Sequence, residues 1–143
     1  MTKPEYKWDA ENKIASCSLI DEQGRKFYAE AKCHPDDYDF ANEYTGYSIA
    51  LERVIIKYLT SVKRDVLEPG LAALNQLFYS MNTSKNFNPH SYEAKMLRRQ
   101  IRMKESDLKV VKQELADRKR NLKLLIQGKD LFYKKTRAAR KNQ

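Results

Sequence analysis

One pattern constrains this chain more than any other. Leu97, Ile101, Lys104, Leu108, Val111, Leu115, Arg118, Leu122, Leu125, Lys129 and Phe132 follow one another at strictly alternating steps of four and three. Side chains at that spacing share one stripe of an α-helix, and eight of these eleven are apolar. A strand, whose period is two, cannot satisfy it. Asn88 supplies an N-cap and Pro89 a first helical residue. The helix is therefore expected to begin there and, at ~1.5 Å per residue, to span roughly 70 Å by residue 135.

A second helical pattern opens near Thr45. Ile55, Leu59, Val62 and Val66 recur at 4-3-4 spacing, and Leu67, Leu71, Leu74, Phe78 and Met81 continue it with a one-residue offset. The offset falls beside Pro69-Gly70, where a kink or break is expected. Folded antiparallel on the later helix, this shorter one would leave part of it uncovered.

Upstream, "KIASCSLI" (13–20) and "RKFYAEAKC" (25–33) flank "DEQG", and Gly24 provides the positive φ of a hairpin turn. A two-residue Gln23-Gly24 loop would pair Ile20 with Phe27, Ser18 with Ala29, Ser16 with Ala31 and Ile14 with Cys33. That small apolar face suits a closely packed helix. Cys17 and Cys33 would then lie on opposite faces, which argues against a disulfide. Residues 4–9 can add a third strand. The predicted fold is α+β: an N-terminal β-hairpin packed on a long antiparallel helical hairpin with coiled-coil character. Residues 1–43 form the hairpin and a joint, and 44–143 the helical hairpin with its long basic C-terminal helix, all as a single structural unit. Only four Gly and four Pro argue against a loop-rich or all-β chain.

The net charge of +9 is unevenly placed. Residues 95–143 hold 17 Lys/Arg against 5 Asp/Glu, whereas residues 1–94 hold 11 against 14. With Ile101 at heptad position a, Arg98, Lys112, Lys119 and Arg140 fall at e, Arg99, Arg120, Lys134 and Lys141 at f, and Arg102, Lys109, Lys123 and Arg137 at b. These positions form one continuous sector, while Asp107, Glu114 and Asp117 fall on the other side. A polyanionic partner is expected: nucleic acid, an acidic protein surface or anionic lipid. Met103, Val110, Leu124 and Leu131 at position c form a second apolar stripe that one partner helix cannot cover along with the seam. A second chain in a homo-oligomer, a target or the β-hairpin would cover it. Phe87 and Tyr92 are candidates for stacking on a base or anchoring a protein contact.

"AKCHPDDYDF" (31–40) gathers a cysteine, a histidine and three aspartates. A structural zinc site wants four ligands, yet the chain has two Cys and two His, with no paired ligand spacing. No nucleophile motif accompanies His34, Asp36 and Asp37. Pro35 and the aspartates suit a joint that ends a strand and opens a helix, with Phe40 plugging the hairpin base. No metal, cofactor or catalysis is expected. No segment is apolar enough for a bilayer or a signal peptide, so no membrane partner is expected. The expected compartment is cytoplasmic, with both cysteines reduced.

The runs "AKCHPDDYDFANEYTGYSIALERVIIKYL" and "LFYSMNTSKNFNPHSYEAKMLRRQIR" resemble a family of small accessory proteins of Gram-positive bacteriophages and prophages. The resemblance rests on Cys33, His34, Pro35 and Asp36 before a helix, and on Asn86, Phe87, Asn88 and Pro89 before a basic helix. Such proteins are similar to anti-defence factors, including type II anti-CRISPR proteins. The resemblance implies a non-catalytic inhibitor of a Cas9-type effector, a host defence effector protein met directly or through its bound guide RNA or DNA. The alternatives are a nucleic-acid-binding structural or replication accessory protein and a protein that sequesters a nucleotide signal. Sequestration would call for a small-molecule pocket near the helix connection.

Overall fold

The computed structural model describes residues 3–33 and 43–141. Its elements are β1 (Glu5–Asp9), β2 (Ile14–Ile20), β3 (Lys26–Lys32), α1 (Glu43–Val62), a π-helical turn (Lys63–Leu67), α2 (Glu68–Asn82) and α3 (Tyr92–Lys141), an α+β protein. They form two compact units. The sheet unit comprises Met1–Tyr58 and Ala116–Gln143, and the helical unit Leu59–Leu115.

In the sheet unit, β1, β2 and β3 make an antiparallel sheet in chain order. Asp21 decides how the β2–β3 hairpin closes. Its carboxylate accepts the N–H groups of Gln23 at 2.9 Å and Arg25 at 2.8 Å, and meets the Arg25 guanidinium at 2.7 Å. Its own N–H donates to the Arg25 carbonyl at 3.0 Å, and the Gly24 N–H donates to the Asp21 carbonyl at 3.1 Å. With Gly24 at φ 82°, this is a three-residue loop ending in a left-handed glycine. The two-residue loop read from the sequence is thereby corrected, and the register with it: Ile20 faces Lys26, Leu19 faces Phe27, Cys17 faces Ala29 and Ala15 faces Ala31.

A one-residue slip turns a strand over. Ala15, Cys17 and Leu19 enter the core instead of the expected Ile14, Ser16, Ser18 and Ile20, while the inward face of β3 is as expected. Cys17 and Cys33 now share a face, but Cys33 bonds opposite Lys13, four residues and ~13 Å along the ladder from Cys17. Neither cysteine forms a disulfide. The sheet's inner face packs on Ile49, Ala50 and Val54 of α1, with Leu122, Leu125 and Ile126 of α3 against the same cluster. Phe27 meets Tyr58 edge-on at 5.6 Å, and Tyr47 packs on Tyr6 and Trp8. Arg53 and Lys57 donate to the backbone carbonyls of Glu30 at 2.8 Å and Tyr28 at 2.7 Å.

The heptad seam drifts near the end of α3. Tyr133, not Phe132, is buried, at 5% against 54% exposure. An α-helix loses ~20° per heptad against a strict seven-residue repeat, so the next position along takes the seam. The expected place of Phe132 on it is corrected accordingly.

In the helical unit, the one-residue offset between the two early apolar runs has a backbone cause. At the end of the π turn the Glu68 N–H bonds to the Lys63 carbonyl, five residues back, so one extra residue is accommodated. Leu67 consequently takes the buried position and Val66 is exposed. Pro69 follows in the first turn of α2, where it has no N–H to give to the helical turn before it, and the wide turn is where the helix takes up that loss. The expected kink or break is thus a wide turn in a chain that stays helical from Glu43 to Asn82.

Asn88 does not cap α3. Its side-chain oxygen accepts the His90 N–H at 2.9 Å and its carbonyl accepts the Ser91 N–H at 3.1 Å, which spends it on a turn through Pro89. Ser91 caps instead, its Oγ accepting the Ala94 N–H at 3.2 Å. The helix therefore starts at Tyr92, three residues later than the sequence suggests.

Candidate polyanion-binding face

The cations predicted from the heptad lie on α3, and each unit carries its own set. In the helical unit Arg99, Arg102, Lys109 and Lys112 are exposed, and among the described residues none of them forms an ion pair. Arg98 differs. It is half-buried and its guanidinium donates to the Pro89 carbonyl, which fastens the connection to the first turns of α3.

In the sheet unit Lys119, Arg120, Lys123, Lys134, Arg137, Arg140 and Lys141 are exposed. Arg120 meets Asp117 at 3.4 Å, and Arg137 Nε donates to the Tyr133 carbonyl at 3.4 Å. Lys119, Lys123 and Lys134 form no ion pair among the described residues. Residues 116–141 hold ten Lys/Arg against Asp117 and Asp130 alone, so this stretch of α3 carries little negative charge of its own. Exposed ammonium and guanidinium groups in such excess supply a positive potential that phosphates or carboxylates can answer. Arg118 belongs to packing instead: its Nη1 lies 3.0 Å from Glu52 Oε1, and Glu52 is mostly buried.

The second stripe is uncovered in both units. Met103 and Val110 in the helical unit are 59% and 61% exposed, and Leu124 and Leu131 in the sheet unit 59% and 58%. Tyr92 is 73% exposed. Phe87 is half-buried and packs edge-on against Phe78 at 6.3 Å, so part of its ring is already spent on the connection.

One cluster was not visible in the sequence. Lys13, Lys32 and Lys129 converge with Trp8, Cys33 and Tyr133 around a cavity of ≈ 20 Å³, which has room for a water and no ligand. Its members come from three separate stretches, so no local motif marks them. His34, Asp36, Asp37 and Phe40 of the proposed joint lie outside the described residues. Among the described residues no three His, Cys, Asp or Glu side chains gather as metal ligands, and no helix is long and apolar enough to cross a membrane. No protein-family model, curated protein or solved structure matches the chain.

Proposed function

We propose that this is a non-catalytic binding protein that engages a polyanionic partner through the outer cations of α3. The observation that carries this reading is the set of exposed cations without an ion pair among the described residues: Arg99, Arg102, Lys109 and Lys112 in one unit, Lys119, Lys123 and Lys134 in the other. A merely solvated helix mixes signs around its exposed surface, whereas here Asp107, Glu114 and Asp117 lie outside the basic sector and two acids of residues 95–143, Glu105 and Asp130, fall within it against twelve cations. The partner class favoured by the phage resemblance is a host defence effector of the Cas9 type. Such an effector presents bound guide RNA, target DNA and acidic protein patches, all suited to a basic inhibitor.

The test is affinity capture from a phage-infected bacterial host, with and without nuclease. An effector retained through nuclease treatment supports inhibition by protein contact, and one released by it supports recognition of the bound nucleic acid. Nucleic acid recovered with no effector supports the accessory-protein reading. Capture of none of these removes the proposal.

A further inference from the structure

We infer that the helical unit pairs with a second copy of this chain through the groove between α2 and α3. Its helices leave much apolar surface without cover. α2 contains no buried residue, although Leu71, Leu74, Leu77, Phe78 and Met81 give it an apolar face. The groove, ≈ 510 Å³, has Gly70, Leu74 and Leu77 on one wall and Met103, Lys104 and Asp107 on the other. Leu77 and Met103 are 56% and 59% exposed. A Cβ at position 70 would lie 3.3 Å from Lys104 Cε, so the glycine makes room for the lysine stem along the groove.

The charges of the groove name its occupant. Lys104 and Asp107 stand one turn apart on the same wall, and neither forms an ion pair among the described residues. An apolar target helix would desolvate both without pairing either. A second copy related by a two-fold axis, with its α3 antiparallel, brings each Lys104 to the partner's Asp107 and each Asp107 to the partner's Lys104. Such an isologous contact is self-complementary and closed. It also gathers four helices around one apolar centre, the arrangement in which amphipathic helices of this kind bury their faces.

The experiment uses the full chain and reads mass by sedimentation over a concentration series, with circular dichroism as the folding control. The wild type is expected to be a dimer. Lys104→Glu and Asp107→Lys should each weaken it about tenfold or more with helicity unchanged, because each variant sets like charges together twice. An equimolar mixture of the two variants should recover the dimer, since both contacts between unlike protomers are then attractive. Should a reversal unfold the chain, the neutral variants Lys104→Gln and Asp107→Asn decide, a weaker dimer supporting the inference and an unchanged mass overturning it. A monomeric wild type, reversals without effect, or a mixture that stays dissociated would each overturn it.

Discussion

Gly46 of α1 lies so close to Ala15 of β2 that a Cβ on the glycine would sit 2.6 Å from the alanine's Cβ. The glycine lets the helix settle directly on the alanine methyl, and Ala15 is fully buried. Gly46→Ala should therefore destabilise the protein by about 1–3 kcal/mol through overpacking, despite alanine's better helix propensity. Adding Ala15→Gly should return part of that loss. Urea titration of the single and double variants checks both.

Arg118 and Glu52 are expected to behave as a coupled pair. Removing the arginine alone strands a carboxylate that is 12% exposed, whereas removing both leaves neither charge of the pair behind. Arg118→Met should cost about 1–3 kcal/mol, and the double variant with Glu52→Met should lie within about 1 kcal/mol of wild type. Glu52 Oε2, buried and without a hydrogen-bond partner, already gives up its solvation for nothing. A double variant as unstable as Arg118→Met would show that packing by the arginine stem, not charge, dominates.

The hairpin should weaken in acid. Burial by itself pushes the Asp21 carboxyl up, but the Arg25 N–H, the Arg25 guanidinium and the Gln23 N–H outweigh it and hold it below the usual carboxylate range. A depressed folded value stabilises above the unfolded value of about 3.9, and that contribution fades as pH falls through the folded one. Asp21→Asn should melt a few degrees lower than wild type at neutral pH, and the gap should close below about pH 4. A gap that persists unchanged in strong acid would assign the loss to loop geometry.

Charge reversal separates recognition from stability. On duplex DNA each cation that neutralises a phosphate contributes about 0.9 to the slope of log affinity against log salt. Lys119→Glu, Lys123→Glu and Lys134→Glu together should flatten that slope by up to about 3 and weaken binding severely. Arg99, Arg102, Lys109 and Lys112 reversed together should act in the same direction. Each substitution should change unfolding free energy by no more than about 0.5 kcal/mol, because the side chains are exposed. Normal binding by both sets at low and moderate salt would reduce the charge excess to a solvated surface.

Periodicity carried the large features of the fold into the sequence, and local competition decided the rest. The 4-3 spacing of Leu97 to Leu125 marks α3, and even the π turn is legible as the step from Val66 to Leu67. The β2 register was not, because two- and three-residue loops both place Gly24 at a left-handed position. The available signal was Asp21, whose short carboxylate favours a turn closed on its own backbone. Asn88 misled for the mirror reason: a good cap can be consumed by a turn, and Ser91 was the competitor. The outer cations were readable because exposure follows from the helical wheel alone. The lysines around Trp8 were not, since their meeting depends on how sheet and helix pack.

The two cations that α1 sends to β3 have a consequence for how the sheet can grow. Pairing alternates along a strand, so the carbonyls of Tyr28 and Glu30 point away from β2, toward any strand that might add there. Lys57 and Arg53 already occupy them. An incoming strand would find two acceptors taken and two positive charges in its path, which makes this flank a poor template for aggregation. The protein thus closes one border of its sheet with long side chains where other folds lay down a further strand.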